Sequence, residues 1–161
     1  MRRKQRELTD QSAIENILKK TAVCYLGLAE GGQPYVVPLH FGYKDNALYL
    51  HSALSGKKVD ILKNNPRVSF TVVADYEVVL GEVACASTTK YQSVIGLGVA
   101  QFLIDDQEKI DALNVIMKHQ GWDIAAHPIN CGKSIANVLV IKIVIDSMTG
   151  KANPNQAVSQ V

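Results

Sequence analysis

Apolar residues recur at helical spacing in three segments of this 161-residue chain. The first predicted helix covers residues 9–20. The second is short, over residues 55–62, and must stop before Pro66 because proline disfavours helical geometry in the residue before it. The third, over residues 105–117, has the most regular apolar spacing. The candidate N-terminal caps of these helices are Thr9, Asp10, Ser55 and the capping-box-like pair Asp105 and Glu108.

The other apolar segments alternate with polar positions or run continuously, which is typical of β-strands. The turns Glu30-Gly31-Gly32-Gln33 and Lys44-Asp45-Asn46 favour hairpins, so the first third of the chain is predicted to be a β-meander. Gly96 and Gly98 predict a bend or a close backbone approach inside a long strand. Short connections favour antiparallel pairing, and a sheet with few covering helices is predicted to curl into a barrel. Strands are predicted over residues 22–29, 34–43, 47–51, 67–73, 91–104 and 136–146, with a less regular segment at 76–89.

Composition places the chain among ordinary globular proteins, with 47% hydrophobic and 20% charged residues. One domain over residues 1–150 and a polar tail over 151–161 are expected. The formal net charge of +2 is too small to indicate nucleic acid or an anionic membrane as partner. No apolar segment reaches the roughly 18 residues of a membrane span, and no secretory signal is apparent. Cys24, Cys85 and Cys131 form no C-x-x-C pair and are expected to be reduced thiols of a soluble, cytoplasmic protein.

The segment from His51 to Lys58 contains the residue types of an anion-binding site. A strand leads into hydroxyl side chains and Gly56, and the predicted helix then opens with Lys57 and Lys58. Because a helix N-terminus exposes unpaired N–H groups and a partial positive charge, a phosphate group would suit this position. The alternative is a solvated lysine pair on a surface helix capped by Ser55.

Histidine and tryptophan provide further candidates. His40 and His51 lie on adjacent predicted strands and are candidate catalytic residues, although a histidine that only hydrogen-bonds a neighbour is the simpler alternative. His119 ends the third helix, where it is expected to complement the helix dipole. Trp122 and His127 mark a loop that could form a lid; the alternative for Trp122 is packing in the core. The histidine spacings of zinc sites are missing from the sequence, so no metal site is predicted.

Four ordered motifs complete the pattern. They are Met1-Arg2-Arg3 followed by Arg6-Glu7-Leu8 and Asp10; Pro34-Tyr35-Val36-Val37-Pro38-Leu39-His40-Phe41-Gly42-Tyr43; Leu48-Tyr49-Leu50-His51-Ser52-Ala53 followed by Gly56-Lys57-Lys58; and Lys90-Tyr91 followed by Ser93-Val94-Ile95-Gly96 and Gly98. Together they resemble the pyridoxamine 5′-phosphate oxidase-like flavin-binding proteins, and within them the branch that includes nitroimidazole-resistance (Nim-type) proteins.

The resemblance implies a mainly β fold, the antiparallel FMN-binding split β-barrel with short flanking helices. It implies a homodimer that holds one flavin, FMN or alternatively FAD, in each cleft between the subunits. The implied cofactor-binding residues are Lys57 and Lys58 at the phosphate with Ser52 and His51 nearby, Pro38, Leu39 and His40 along the isoalloxazine ring, and Tyr91, Ser93 and Val94 from the other subunit. His40 departs from the family pattern, which often has asparagine there.

The function that follows from the resemblance is that of a flavin-dependent oxidoreductase. Its expected substrate is a small, electron-poor molecule, as for a nitroimidazole reductase. Two alternatives stay open. One is a non-catalytic flavin carrier or sensor, and the other is a haem-binding split-barrel protein with His119 or His127 as an axial ligand.

Overall fold

The structure, a computed structural model, describes residues 4–129 and 132–153. Within these residues the chain forms eight strands and three α-helices. The strands are β1 (Glu7–Leu8), β2 (Val23–Glu30), β3 (Gln33–His40), β4 (Gly42–Lys44), β5 (Ala47–Ser52), β6 (Arg67–Val79), β7 (Thr88–Leu103) and β8 (Leu139–Asn153). The helices are α1 (Gln11–Lys19), α2 (Lys57–Asn64) and α3 (Asp106–His119). The predictions on residues 1–3, Cys131 and tail residues 154–161 lie outside the described residues.

All strands join one antiparallel sheet in the order β3-β2-β6-β7-β8-β5-β4, with β1 paired to β8. The two ends of this ladder, β3 and β4, are consecutive in the chain and only Phe41 separates them. The sheet therefore curls until its ends meet. Within the described residues no ladder joins β3 to β4 or β5, so the barrel is split there. This confirms the predicted mainly β, antiparallel split barrel with flanking helices.

The meander predicted for the first third of the chain is wrong. Both hairpins form, with left-handed backbone at Gly31 and Gly32 (φ +56° and +82°) and at Asp45 and Asn46 (φ +51° and +56°). The second hairpin, however, does not continue the first. The predicted strand over residues 34–43 is interrupted at Phe41, and its two parts, β3 and β4, lie at opposite ends of the ladder, with β5 paired to β8. Turn chemistry specifies each hairpin locally, whereas the partner of β5 lies far away in the chain.

The core fills the barrel interior and is closed by α1. Phe41 and Phe70 are among its largest fully buried side chains. A Cβ at Gly96 would come within 2.2 Å of the Phe70 ring, and one at Gly98 within 2.4 Å of the Val144 carbonyl oxygen. A bulge in the β7–β8 ladder also lies next to Gly98. The predicted close backbone approach in this strand is confirmed.

The long strands continue past their predicted ends. After a bulge near Asp75 (φ +52°), the ends of β6 and β7 form a two-stranded arm through the segment predicted to be irregular, with a 3₁₀ turn at Ala84–Ala86. At the other end of the chain β8 reaches Asn153, beyond the expected domain boundary at residue 150. Among the described helices, none combines the length and apolar character needed to cross a membrane.

Candidate functional site

The split in the barrel forms a cleft between two strand edges. β3 ends the ladder, so its edge away from β2 is free. On the other side β4 pairs with β5 only from Ala47 to Tyr49, which leaves Leu50, His51 and Ser52 unpaired toward β3. β3 and β5 approach each other although no ladder joins them in the described part of the chain. A free strand edge presents backbone N–H and C=O groups, so the cleft is bordered by hydrogen-bonding groups that the sheet does not use.

Helix α2 begins at one end of this cleft and is fixed in place at both ends. Gly56, with φ +127°, occupies the N-cap in a conformation that favours glycine. At the other end the Asn65 amide donates to the Ala29 carbonyl (3.1 Å) and the Asn64 amide to the Glu30 carboxylate (3.3 Å). These bonds tie the end of α2 to the β2–β3 hairpin, and the contact of Lys57 with the Tyr35 ring places the start of the helix beside β3.

Two lysines occupy the first turn of α2 without a carboxylate partner. Lys57 Nζ lies 4.8 Å from the centre of the Tyr35 ring, and Lys58 is half-buried. Burial lowers the pKa of Lys58 below its ordinary value of 10.5. No ion pair in the described part of the chain involves either lysine. A half-buried ammonium group without a counter-ion fits an anionic ligand better than it fits a solvated surface.

The N-terminal cap of α2 also favours an anionic ligand, and it corrects one prediction. Ser55 was expected to cap α2, but Gly56 holds the N-cap position and no side chain there accepts a hydrogen bond from the first turn. The backbone N–H groups of Lys57 and Lys58 therefore stay available to a ligand, whereas that of Val59 already donates to the Gly56 carbonyl (2.8 Å). Asp60 also lies in the first turn and opposes an anion, but it is exposed, so solvent screens it. The donor set thus fits the phosphate of a nucleotide-like cofactor.

The residues predicted along the flavin ring divide between the two faces of β3. Pro38 and His40 are exposed, whereas the side chain of Leu39 packs against the core, so only its backbone could contact a ring. Across the cleft on β5, His51 is exposed and Ser52 is half-buried. The structure therefore places both candidate catalytic histidines on the strands that border the cleft.

The three residues predicted from the other subunit lie on β7, inside the ladder and away from the cleft of the same chain. Val94 is fully buried, so its side chain is unavailable to a cofactor. Tyr91 is half-buried, and the nearby ammonium group of Lys151, together with Arg6, holds its pKa below 10.0. Contact between a cofactor in the cleft and Tyr91 or Ser93 would require a second chain.

His119 has a role that its position at a helix end did not reveal. Its Nδ1 accepts the Tyr43 backbone N–H (3.4 Å), and its Nε2–H donates to the Thr21 carbonyl (2.8 Å). A backbone N–H can only donate and a carbonyl can only accept, so these partners fix one neutral tautomer. Both ring nitrogens are engaged, and a haem iron could bind His119 only by displacing one of these partners.

Trp122 is not a core residue. Its side chain is 47% exposed, and its indole N–H donates to the His127 carbonyl (3.1 Å) while the two rings lie 5.6 Å apart. The alternative of core packing is therefore wrong, and the lid remains a prediction.

Comparison with known proteins agrees with this geometry. Residues 10–152 match the family model of pyridoxamine 5′-phosphate oxidase, and the chain belongs to that family. The structure of a proposed 5-nitroimidazole antibiotic resistance protein from Bacteroides thetaiotaomicron is 33% identical over 91% of this chain and 86% of that one, with a TM-score of 0.80. An FAD-binding protein from Mesorhizobium loti is 29% identical over 92% and 98%, with a TM-score of 0.68. The FAD and haem binding protein from Mycobacterium smegmatis shares the fold, with a TM-score of 0.83 at 20% identity over 94% and 77%.

Proposed function

We propose that this protein binds a flavin in the cleft between β3 and β5 and works as an oxidoreductase on a small, electron-poor substrate. The observation that carries the proposal is the uncompensated, half-buried Lys58 beside Lys57 at the uncapped start of α2. Charge-assisted hydrogen bonds from lysine and from helix N–H groups are the usual way to hold a phosphate. FMN is the proposed cofactor, with FAD as the alternative.

The chain's own groups would orient the cofactor and control its surroundings. Lys57 and Lys58 would hold the phosphate, with Ser52 nearby. The free edges of β3 and β5 would provide backbone donors and acceptors to the flat ring system, and His40 and His51 would be the candidate proton donors at its margins. The bound flavin would supply the hydride or electron transfer.

Two relatives support the cofactor and the substrate class. The Mesorhizobium loti relative binds FAD, which supports a flavin here. The relative from Bacteroides thetaiotaomicron is a proposed 5-nitroimidazole antibiotic resistance protein, which supports an electron-poor nitro compound as substrate. Mass spectrometry of the ligand released from purified protein distinguishes FMN from FAD.

We also propose that two copies of the chain associate through an apolar face of the sheet. Outward-facing positions of β3, β2, β6 and β7 form adjacent cross-strand rows, because Val36 is in register with Leu97 through Gly27 and Ser69, and Pro38 with Ile95 through Tyr25 and Thr71. Exposed apolar patches of this kind mark interaction sites. Association here would bring Tyr91 and Ser93 of one subunit within reach of the partner's cleft. The exposed apolar residues of this face are Tyr25, Val36, Val73, Ile95 and Leu97.

The cofactor proposal is tested on purified protein with and without added FMN. The wild-type protein is expected to be yellow or to become yellow on reconstitution. Lys57→Ala combined with Lys58→Ala is expected to weaken flavin binding by at least about 100-fold, since each charged hydrogen bond contributes about 1.5–3 kcal/mol. Lys63→Ala, at the opposite end of the same helix, is the matched control and should leave flavin binding unchanged. Wild-type protein that takes up neither FMN nor FAD would refute the proposal.

Turnover separates an enzyme from a flavin carrier. Flavin-loaded protein is mixed anaerobically with NADH or NADPH and a 5-nitroimidazole, the compound class of the Bacteroides relative. Reduction well above the rate with free flavin supports an oxidoreductase. A rate equal to that of free flavin favours the carrier.

A further inference from the structure

A second feature of the barrel lies outside the residues assigned to the cofactor. A cavity of about 820 Å³ opens between α3, the loop that carries Trp122, and the outer face of β5 and β8. A cavity of this volume is in the size range of pockets for drug-sized ligands. Tyr49 and Trp122, two of the residues that line it, are aromatic. It therefore offers flat apolar surfaces to a planar molecule.

The charges of this cavity differ between its floor and its rim. Lys142 is half-buried on the floor, in register with Tyr49 on the neighbouring strand and with its Nζ 6.0 Å from the centre of that ring. Exposed carboxylates and the exposed ammonium groups of Lys44 and Lys118 stand at the rim. Because solvent screens exposed charges, the floor lysine has the stronger effect on a bound molecule. No ion pair found within residues 4–129 and 132–153 involves Lys142.

Asn114 adds a second polar group that lacks a partner. Its side-chain oxygen is buried beside the cavity and accepts no hydrogen bond from the described residues. Buried acceptors are usually satisfied, so a ligand that carries an N–H or O–H group in addition to its acidic group would satisfy this oxygen, whereas para-nitrobenzoate, which has no such donor, probes the cation alone. Asp123, by contrast, already accepts from the backbone N–H groups of Ala125 and Ala126 in the Trp122 loop. Among the polar groups of the cavity that are not exposed to solvent, two without a hydrogen-bond or ion-pair partner in the described residues are thus the Lys142 ammonium group and the Asn114 side-chain oxygen.

We propose that this cavity binds a planar aromatic anion, with its acidic group on Lys142 and its ring between Tyr49 and Trp122. Tyr49 and His51 lie on the same face of β5, because alternate residues of a strand share a face. The cavity is therefore next to the cleft, and the bound anion would be the substrate. That last step rests on the proposed function, whereas binding of the anion does not.

The test uses Trp122, the single tryptophan of the sequence, as its reporter. Tryptophan fluorescence is titrated with para-nitrobenzoate and with the neutral para-nitrobenzamide and cationic para-nitrobenzylamine, which share its ring. N-acetyltryptophanamide corrects for absorption by the probes. The anion is expected to bind at least about tenfold more tightly than either analogue, the discrimination that one charge-assisted hydrogen bond provides.

Substitutions at Lys142 and Lys118 test where the anion binds. Lys142→Gln should lower affinity for the anion by about tenfold, whereas Lys142→Arg and the rim control Lys118→Gln should each leave it within about threefold. Calorimetric titration repeats the comparison without fluorescence, and thermal melting verifies that each variant folds. Equal affinity for all three probes, or an equal loss in Lys118→Gln, would overturn the proposal.

The failure of this proposal is distinguishable from failure of the proposed function. The Lys57→Ala/Lys58→Ala protein is expected to bind para-nitrobenzoate as wild type does, although it should lack flavin. Binding of the anion by wild-type protein that takes up no flavin would support the proposal for the cavity and refute the proposed oxidoreductase function. Flavin uptake without selectivity for the anion would refute the anion-binding cavity and leave the proposed flavin site intact.

Discussion

The neutral ring of His119 connects three segments that are distant from one another in the sequence. Its two nitrogens bond Tyr43 and Thr21, and its ring centre lies 4.7 Å from that of the buried Phe41. The ring thus joins the end of α3 to Thr21, two residues past the end of α1, and to Phe41, which connects the two ladder ends. Sequence position predicted only a dipole contact, since the partners lie far from His119 in the chain.

We expect His119→Ala to destabilise the protein by about 2–4 kcal/mol. The substitution leaves two backbone groups without partners and removes a packed ring, and each unsatisfied buried group costs about 1–3 kcal/mol. His127→Ala, which removes an exposed ring, is the control and should change stability by less than about 1 kcal/mol. Urea unfolding measures both. Equal losses in the two variants would show that the hydrogen bonds of His119 contribute little.

The buried thiol of Cys24 and the half-buried phenol of Tyr43 make the stability of the fold depend on pH in the alkaline range. Burial raises the pKa of Cys24 from 9.0 to about 12, and burial together with Glu15 raises the pKa of Tyr43 from 10.0 to about 12. Above about pH 9 the unfolded chain therefore loses the Cys24 proton first, and stability falls as pH rises. The lowered pKa of Lys58 has the opposite effect, because it makes the free energy of unfolding rise with pH as the ammonium group of the folded chain deprotonates before that of the unfolded chain does, which is a loss of protons on folding.

Cys24→Ala isolates the thiol contribution. Between about pH 9 and pH 10.5 the variant should lose less stability than wild type, by up to roughly 1 kcal/mol per pH unit, because no thiol then ionises in the unfolded chain. The exposed Cys85→Ala is the control. Urea unfolding is compared across pH within each variant, so any cost of the substitution itself cancels. If the free energy of unfolding of Cys24→Ala falls with pH as steeply as that of wild type, the Cys24 thiol is not the source of the pH dependence.

At the scale of elements, α3 contacts β4 so closely that only glycine fits between them. A Cβ at Gly42 would lie 2.7 Å from the Ile116 backbone nitrogen and 2.8 Å from its Cα. These are backbone atoms of the helix, so no side-chain rotation can relieve the contact. α3 in turn forms one wall of the proposed substrate cavity.

We expect Gly42→Ala to cost about 1–3 kcal/mol, as overpacked substitutions do, and to weaken para-nitrobenzoate binding as α3 shifts. Gly27→Ala is the control, because its Cβ would meet Ser69 Oγ, a side-chain atom that can rotate away. Urea unfolding and the fluorescence titration measure the two effects. If both variants lose the same stability, close packing of the helix backbone is not the cause.

The elements show which predictions a local pattern supports. Asp10 and Asp105 cap their helices through the predicted side chains, and both glycine or asparagine turns form, because each signal lies within a few residues. The pairing of β5 with β8 joins distant segments, and no local signal names the partner. The arm beyond Asp75 was missed because its strand-like residues continue past a bulge.

The candidate site also combines features that the local sequence predicts with features that depend on distant segments. The lysines of α2 and the histidines bordering the cleft were identified from residue type and motif. The inward direction of Leu39 was available from its alternation with Pro38, but the burial that shifts the Lys58 pKa depends on packing from other elements. Trp122 was identified from the sequence only as part of a candidate lid. Lys142, one of three charged residues of β8, carried no prediction, because long-range strand pairing is what brings it beside Tyr49.

At the scale of the whole molecule, the apolar face on β2, β3, β6 and β7 is the feature that a single chain leaves unexplained. We expect Ile95→Glu, at a 56% exposed position inside this face, to raise the dimer dissociation constant by at least about 100-fold, because a buried unpaired charge costs several kcal/mol. Ile104→Glu is the control, since Ile104 is 86% exposed but lies beyond the end of β7. Size-exclusion chromatography with light scattering gives the oligomeric state, and flavin absorbance gives the occupancy. A wild-type monomer that still binds flavin, or a dimer that both variants leave intact, would show that the face does not assemble the cleft.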